Sequence, residues 1–478
     1  MLNFLPRQLA AALLTCGVLT GCSLAPHYVR PDAPVAAAYP ATATGQTTRN
    51  AVEIGWREFF PDQRLQALIA TALDQNRDLR MAALRIEEAR AQYNIQSADL
   101  LPNLSAGVSG ARTRTPAAAS PTGTSFVSNS YQVGLNLASF ELDFFGRVRS
   151  LNQAALEQYL ATEEARRSVQ ISLVSEVAKA YLSERAFAEQ LALAQHTLEG
   201  RQTAYNLAKQ RFDVGASSAL DLRLNETLVH SARVSLLILT RLRAQAENAL
   251  TLLAGKPLTD LPPAQPLSEQ NIVTDIPAGI PSELLMRRPD ILAAEHRLKA
   301  ANANIGAARA AFFPRISLTA GIGTASSDLS GLFDAGSRSW AFVPQLVLPI
   351  FDAGRNRANL NLTEVRTETA VADYEKTIQV AFREVADALV ARDTLNEQID
   401  AQRAVQEAQA DRLKLASQRY QTGVASSLDL LDAQRELFSA EQSLVQALLL
   451  RLTNAVDLYR SLGGGLNEAA ATPVAAGK

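Results

Sequence analysis

The sequence lacks the features that carry most enzymatic and nucleic-acid-binding functions. Of its 478 residues only 6% are aromatic and 4 are histidine, and the formal net charge is -2. Without an excess of Lys and Arg, the electrostatic footprint of a nucleic-acid binder is missing. The histidines lie far apart with no metal-ligand spacing, and neither a phosphate-binding glycine loop nor a nucleophile elbow is found. We therefore predict no enzyme activity, no catalytic residue, no metal site and no nucleic-acid partner.

The N-terminus contains an apolar run that is too short to cross a membrane. Residues 9–19 follow a single basic residue, Arg7, as in a secretory signal peptide. The run closes with the tetrapeptide Leu-Thr-Gly-Cys ending at Cys22, which resembles the lipobox cleaved before cysteine in bacterial lipoproteins. We predict that residues 1–21 are removed and that Cys22 carries an N-acyl and diacylglycerol lipid, with no other cofactor. The alternative is an ordinary signal peptide with a chance cysteine.

Cysteine is scarce, which limits covalent cross-linking. The chain has 2 cysteines, and Cys16 leaves with the predicted signal peptide. The mature chain would then carry neither a free thiol nor a disulfide. Ser23, and not Asp, follows the lipidated residue, which indicates sorting of the lipoprotein to the outer membrane.

The chain consists of two halves that repeat each other. Residues 210–222 match residues 418–430 at a constant spacing of 208 (419 − 211), and Pro102 pairs with Pro314 at a spacing of 212 (314 − 102). Two halves therefore share one architecture. The predicted segments are a signal peptide (1–21), an N-terminal extended segment (22–61), a first repeat (62–255), an equatorial linker (256–282), a second repeat (283–463) and a C-terminal tail (464–478).

Each repeat is predicted to begin with a helix and to continue with two strands. Residues 62–101 and 283–313 carry apolar residues at helical spacing, and a proline follows each segment. The segments that come next alternate between apolar and polar residues over a length that suits membrane strands. The four predicted strands are residues 104–112, 131–142, 315–325 and 340–351. Aromatic residues at the junctions suggest a bilayer interface, with packing at a domain corner as the alternative: Phe144, Phe145, Phe312, Phe313 and Phe351.

Proline is absent from residues 147–213, which as one helix would extend about 100 Å. Apolar residues recur there at 3–4 spacing, and more weakly in the second repeat, which indicates left-handed coiled coils. Gly215 and Gly423 interrupt the two long helices, and Ser218 and Ser426 can cap the returning helices. Each repeat is thus predicted to form a helical hairpin with a tight tip.

Four strands cannot lie in lipid with open edges, because each unpaired backbone group costs several kcal/mol there. The barrel must be shared between subunits, although the residues themselves do not count the subunits. Side chains fill a barrel of eight strands, so three copies with twelve strands are the smallest odd-symmetry closure with a lumen. The predicted fold is an α+β membrane protein in which a trimeric twelve-stranded transmembrane β-barrel continues into a long α-helical coiled-coil barrel.

The helical tips are the candidate gate of such a duct. Asp429 and Asp432 lie on one helical face just after Gly423, and in a trimer they would form carboxylate rings that attract cations. The alternative is helix capping, since Asp429 and Asp221 each follow a serine by three residues. At the repeat spacing Leu224 occupies the place of Asp432. Helix capping does not require a second carboxylate at this place, so Asp432 favours the carboxylate rings.

Several short motifs occur together along the mature chain. They are Gly21-Cys22-Ser23-Leu24-Ala25-Pro26, Ile54-Gly55-Trp56-Arg57, Arg287-Arg288-Pro289-Asp290-Ile291 and the repeated Arg-Tyr/Phe-x-x-Gly at the tips. This set resembles the outer-membrane factor family (TolC- and NodT-like), in the subgroup of lipoprotein channels of resistance-nodulation-division (RND) multidrug pumps. The resemblance implies a homotrimer, lipid-anchored in the outer membrane and extending into the periplasm. It would be a passive exit duct for drugs and other small toxic compounds.

The resemblance also implies partners and site residues. A periplasmic membrane-fusion adaptor would contact the tips at Gly215 and Gly423, and an inner-membrane RND pump would complete the assembly. Family members close the resting tip with a tyrosine-to-aspartate hydrogen bond, which maps onto Tyr420 and Asp221. Some relatives add an arginine two residues after the tip glycine, where this chain has Ala425.

Two other functions remain open from the residues alone. One is an outer-membrane duct for exported proteins or metal ions, which the fold cannot distinguish from a drug duct. The other is a non-pore coiled-coil scaffold lipoprotein, which predicts soluble strands and no heat-modifiable trimer in detergent.

Overall fold

The computed structural model describes residues 23–39, 51–273, 276, 281–422 and 424–468. The predictions for the signal peptide, Cys22 and Gly423 lie outside these residues. The helices are α1 Trp56–Phe59, α2 Gln63–Gln75, α3 Arg77–Ala98, α4 Arg147–Asp213, α5 Ala219–Ala254, α6 Pro281–Arg287, α7 Pro289–Ala310, α8 Arg355–Gln421 and α9 Ser427–Ser461. The strands are β1 Leu104–Thr115, β2 Phe126–Leu142, β3 Arg315–Ser326 and β4 Arg338–Val347.

The two long helical hairpins are confirmed. Helices α4 and α8 have 67 residues each, and the first residues of the two differ by the repeat spacing of 208 (355 − 147). Gly215 after α4 has a positive φ of 74°, which allows the chain to reverse. Ser218 and Ser426 are the N-caps of α5 and α9, as predicted. No helix in the described part of the chain is both long and apolar enough to cross a membrane.

The first helix of each repeat is broken, contrary to the prediction of continuous helices over residues 62–101 and 283–313. Asn76 separates α2 from α3. Its side-chain amide accepts a hydrogen bond from the backbone N–H of Leu79 and donates one to the carbonyl of Leu253. Arg288 separates α6 from α7, and it directly precedes Pro289. A residue before proline is pushed out of the helical region by steric conflict with the proline ring.

The four strands form one antiparallel sheet in the order β1-β2-β3-β4. The first three strands are longer than predicted, but β4 ends at Val347 and not at residue 351. Val347 pairs with Arg315, the first residue of β3, so residues 348–351 have no strand to pair with inside the chain. A bulge in β2 near Ser139, which has a φ of 47°, shifts the β2–β3 register by one residue.

The described chain separates into two compact units, and each unit draws on both repeats. The first unit holds the described residues up to Asp32 together with Arg85–Glu163 and Ala293–Tyr374. It contains the sheet, a small-residue contact of Ala154 with Ala300 and Ala303, and the stacked rings of Phe145 and Phe313 at 4.7 Å. This unit has a thin core, and much of its sheet surface is exposed.

The second unit holds the described parts of Ala33–Leu84, Glu164–Leu292 and Glu375–Lys478. Its core is aromatic: Phe59 stacks on Tyr459 at 3.9 Å, and the Tyr459 hydroxyl donates to the carbonyl of Ile54. Asp62 caps α2 and also accepts from Tyr181 (2.7 Å) and Gln270 (2.6 Å). Asp62 is 2% exposed, so a buried carboxylate with several donors fixes three segments of this unit to one another.

In the second unit one contact occurs twice, a hydrogen bond from the residue at a helix break to a carbonyl at the end of the returning helix; we call this contact the joint. Asn76 donates to the carbonyl of Leu253 at the end of α5, and Arg288 donates to the carbonyl of Ser461 at the end of α9. These positions correspond at the two repeat spacings, 212 for the donors (288 − 76) and 208 for the acceptors (461 − 253). The residue at the helix break therefore satisfies a carbonyl that the returning helix leaves free.

Candidate functional site

One face of the sheet is apolar and exposed. The strand registers align side chains of all four strands on that face, for example Leu104, Leu137, Ala320 and Phe342 in one row. The exposed large apolar side chains on this face are Leu104, Val108, Val127, Leu135, Ile322, Trp340, Phe342 and Leu346. A soluble protein rarely exposes an apolar surface of this kind, and in a membrane strand it faces lipid.

The opposite face is mainly polar and small, although Phe126, Val343 and Val347 are exposed on it. Its side chains include Ser105, Ser109, Gln132, Asn136, Ser317, Thr319 and Gln345. Gly134 and Gly323 are cross-strand partners, and a Cβ on either would collide with the backbone of the other strand. The sheet thus has the alternation of a barrel wall between lipid and water.

Both edge strands end without a further partner in the described chain. β1 pairs only with β2, and β4 pairs only with β3. Each edge presents a row of backbone donors and acceptors over 12 and 10 residues respectively. An edge of this length beside an apolar face is suited to pairing with another chain.

At the tips, the structure supports the capping role of the predicted acids. Ser426 and Asp429 form a capping box, in which each side chain binds the backbone of the other residue. Ser218 accepts from the backbone of Asp221 and donates to its carboxylate. Hydrogen bonds from Ser426 lower the pKa of Asp429, and those from Ser218, followed by Ser427, lower the pKa of Asp221. Both carboxylates are thereby kept ionised in the first turns of their helices.

Two contacts join the tips of the two hairpins. The Ser427 hydroxyl donates to Asp221 Oδ1 at 2.9 Å. Arg211 Nη1 donates to the Tyr420 hydroxyl at 2.9 Å and lies 5.5 Å from the centre of its ring. Tyr420 and Asp221 therefore each bind the opposite hairpin, but through Arg211 and Ser427 and not through each other.

Asp432 binds two arginines that were not predicted from the sequence. Arg412 Nη2 donates to Asp432 Oδ2 at 2.6 Å, and Arg435 binds its other oxygen. Arg435 is three residues further along the same helix, a spacing that could have indicated the pair. Arg412 lies on α8, and only the alignment of the two hairpin arms brings it close.

The junction between the sheet and the long helices holds a second set of missed charges. Glu141 binds Arg147 Nη2 and Arg315 Nε, each at 2.7 Å, and Asp143 binds Arg149. At the repeat spacing Pro349 and Phe351 occupy the places of the two acids. Of the aromatic residues predicted to lie at the bilayer interface, Phe145 stacks on Phe313, whereas Phe351 is 91% exposed.

The comparisons with known proteins agree with this geometry. Residues 68–256 and 280–464 match the family described as outer membrane efflux protein. The chain is 51% identical over 459 residues to outer membrane protein OprJ of Pseudomonas aeruginosa, covering 96% of both chains. It is 49% identical over 468 residues to the toluene efflux pump outer membrane protein TtgC of Pseudomonas putida, covering 97% of this chain and 96% of the relative. The open-state crystal structure of the Neisseria gonorrhoeae MtrE outer membrane channel, 44% identical, superposes with a TM-score of 0.86 over 94% of this chain and 100% of that chain.

Proposed function

The chain belongs to the family of outer membrane efflux proteins and forms the outer-membrane channel of a tripartite efflux pump, and from this premise we propose that three copies close one barrel of twelve strands. The observation that carries the proposal is the four-stranded sheet with one apolar face, one polar face and two unpaired edges. In lipid these edges must be paired, and twelve strands leave a lumen that eight would not. Family membership favours this channel over the non-pore scaffold.

The internal repeat supplies the register of the closure. Inside the chain β2 pairs with β3, and on the side of the β2 bulge nearer to α4 Phe140 lies opposite Leu318. In the repeat β4 takes the place of β2, and β1 takes the place of β3. Transferring the register therefore sets β4 of one copy against β1 of the next. At the repeat spacings Phe140 and Leu318 correspond to Leu348 (140 + 208) and Ala106 (318 − 212). The resulting partners of Leu346 and Gln345 are Val108 and Ser109 of the neighbouring copy.

The chemistry of the two strands supports this register. Leu346 and Val108 both lie on the apolar face, and Gln345 and Ser109 both lie on the polar face. A register displaced by one residue would bring apolar side chains to the polar face. The twelve strands then present one continuous apolar band outward and one polar surface to the lumen.

We propose that the duct is passive and has no enzymatic activity. Its lumen surface, mainly of Ser, Thr, Gln, Asn and Gly, offers hydrogen-bonding groups for many solutes. The relative named for toluene efflux supports small toxic organic compounds as cargo. A periplasmic adaptor at the tips and an RND pump in the inner membrane would complete the assembly.

We propose that the tips form the gate and that Asp429 and Asp432 form an acidic neck. The links between the hairpins, Ser427 to Asp221 and Arg211 to Tyr420, hold the two tips of one chain together. Opening the duct would require these links to break, because the tips must separate. The arginines bound to Asp432 reduce its negative potential, so Asp429 contributes more of the cation preference.

We propose that Cys22 is the lipid-bearing residue. Residues 24–30 lie along α7: Arg30 binds Glu295, Asn302 donates to the carbonyl of Pro26, and Arg309 donates to that of Leu24. The segment thus runs toward the end of α7 that precedes β3, where the barrel begins. Mass spectrometry of the mature N-terminal peptide tests the proposal, since an unmodified Cys22 thiol would contradict it.

Single-channel conductance in a planar bilayer tests the pore and the neck. We expect small cation-selective steps from the wild type, and loss of selectivity or larger conductance from Asp429→Ala combined with Asp432→Ala. Unchanged selectivity would reduce the two aspartates to helix caps.

The absence of conductance steps from a folded trimer, even after Tyr420→Phe weakens the tip, would contradict the channel. Transport of proteins or metal ions but not of small organic compounds would assign the duct to another cargo.

A further inference from the structure

Three arginines lie on the apolar face of the sheet, near the β1–β2 and β3–β4 connections. Arg112 and Arg114 of β1 share this face with Leu104 and Val108, and Arg338 of β4 shares it with Trp340. All three are exposed, and within the described residues they form no ion pair. A charged side chain is costly at the centre of a bilayer and tolerated near the interface.

Aromatic rings mark the same level of the strands. Tyr131 faces Gly110, two residues before Arg112, and Trp340 is 80% exposed two residues after Arg338. These residues lie toward the β1–β2 and β3–β4 connections, at the strand ends opposite to those that continue into α4 and α8. In the proposed duct this is the outer leaflet, where the aromatic side chains mark the interface. On this face of the strands only Val127, opposite Arg114, is a large apolar side chain beyond them.

The proposed closure brings the three arginines together. The repeat-derived register sets Arg114 of the neighbouring copy opposite Trp340, and its Arg112 opposite Phe342. Arg338, two residues before Trp340 on the same face, lies diagonal to that Arg114. Opposite side chains have Cβ atoms about 5 Å apart and diagonal ones about 7–8 Å, so the three guanidinium groups can reach one ligand. The cluster is incomplete in a single chain.

We propose that each of the three β4–β1 junctions between neighbouring copies binds a phosphate of a phosphorylated glycolipid in the outer leaflet. The planar guanidinium donates paired hydrogen bonds that match phosphate oxygens, and Trp340 and Phe342 offer apolar contact to acyl chains. The apolar face carries no carboxylate on any of the four strands. The nearest acids along the chain, Asp328 and Asp334, lie in the β3–β4 loop and pair with none of the three arginines. The inference rests on the proposed trimer.

Binding of lipid A to the purified trimer tests the proposal. Dissociation constants are measured in detergent for bis-phosphorylated lipid A and for dephosphorylated lipid A with the same acyl chains. We expect the wild type to prefer the phosphorylated lipid by at least about tenfold, as several cationic side chains near a membrane surface would give. Equal affinity for the two lipids would overturn the proposal.

Two matched variants locate the site. Arg112→Gln, Arg114→Gln and Arg338→Gln together should abolish the preference. Arg90→Gln, Arg383→Gln and Arg403→Gln together remove three exposed arginines of the helices and should leave it unchanged. A preference that survives the first variant, or that the second variant also removes, would contradict the assignment. If the triple variant does not assemble, each single arginine-to-glutamine variant should lower the preference for the phosphorylated lipid several-fold. An unchanged preference in all three single variants would contradict the proposed site.

The experiments distinguish a failure of the lipid site from a failure of the proposed function. A chain that neither trimerises nor conducts would overturn the duct whatever its lipid affinity. A conducting trimer without phosphate preference would overturn only the lipid site. A monomer with full preference would show that no junction is needed and would contradict the shared site.

Discussion

The two repeats share their backbone and differ in their chemistry. Helices α4 and α8 have the same length and begin at Arg147 and Arg355. In the first repeat Glu141 neutralises Arg147, whereas Pro349 holds the corresponding place in the second. The side chain of Arg355 forms no ion pair within the described residues. Backbone requirements such as caps and turns have been retained in both copies, while charges that do not set the backbone have diverged.

The tips differ in the same way. Phe212 and Leu224 of the first repeat correspond to Tyr420 and Asp432 of the second. Both polar residues of the second repeat bind an arginine, Arg211 and Arg412 respectively. The second repeat therefore adds two polar groups to the proposed gate that the first repeat lacks, while the first repeat supplies Arg211 and Asp221 to the links between the tips.

The duplicated joint gives the largest expected effect. Arg288→Ala removes a side chain that is 6% exposed and leaves the Ser461 carbonyl without its donor and Asp290 and Glu384 without this arginine. We expect a loss of about 3–5 kcal/mol of unfolding free energy. Asn76→Ala, at the equivalent place, breaks only neutral hydrogen bonds and should cost about 1–2 kcal/mol. Denaturant unfolding followed by circular dichroism measures both, and equal losses would contradict the contrast.

The glycines after the returning helices give the next effect. Gly255 and Gly463 have φ values of 74° and 83°. A Cβ at Gly255 would collide with the backbone carbonyl of Gln75, whereas at Gly463 the nearest atom would be 3.3 Å away. We expect Gly255→Ala to cost about 3 kcal/mol, from strain and overpacking, and Gly463→Ala about 1 kcal/mol. The same unfolding assay ranks the two, and a larger loss at Gly463 would be the contrary result.

The tip contact should give a smaller effect on gating. Tyr420→Phe makes the second tip like the first and removes the oxygen that accepts from Arg211. Because this contact is exposed, we expect a weakening of about 0.5–1 kcal/mol, which raises the open population a few-fold. Open probability in single-channel records measures it. Phe212→Tyr is the control and should leave gating unchanged, and an equal response of the two variants would refute the asymmetry.

The pH dependence should be the smallest effect near neutrality. The pKa of Asp221 and of Asp429 is lowered, so their contribution to the tip is present above the ordinary pKa of about 3.9 and is lost as the pH falls through the lowered value. We expect unchanged gating from pH 7 to pH 5 and increased opening only below about pH 3.9. Asp221→Asn should remove the part of this response that belongs to the first tip. A transition centred near pH 6 would point to another group.

The long elements could be predicted from the sequence because their signals are local. The bounds of α4 follow from a proline-free run with a glycine after it, and Ser218 and Ser426 cap helices by their own hydroxyls. The break at Asn76 was missed because it depends on the carbonyl of Leu253, which is far away in the chain. A single asparagine within an otherwise helical pattern does not reveal that partner.

The candidate site was predictable to the same extent. The acids at the tips follow from serine spacing, but their partners do not. Arg211 and Tyr420 are 209 residues apart and meet only because two hairpins lie side by side. The alternation of the strands predicted a lipid face and a lumen face. The bulge near Ser139 is visible there as a change of phase, from Leu135 and Leu137 to Phe140 and Leu142, which the predicted continuous strand did not include.

Disulfide trapping of the subunit junction tests the shared barrel most directly. Gln345→Cys combined with Ser109→Cys places two thiols opposite each other on the lumen face in the repeat-derived register. Oxidation should convert this variant to a covalent trimer, whereas Gln345→Cys with Thr113→Cys, displaced by four residues, should remain monomeric on denaturing gels. Trapping by the displaced pair but not by the matched one would contradict the register, and trapping by neither would contradict the shared barrel.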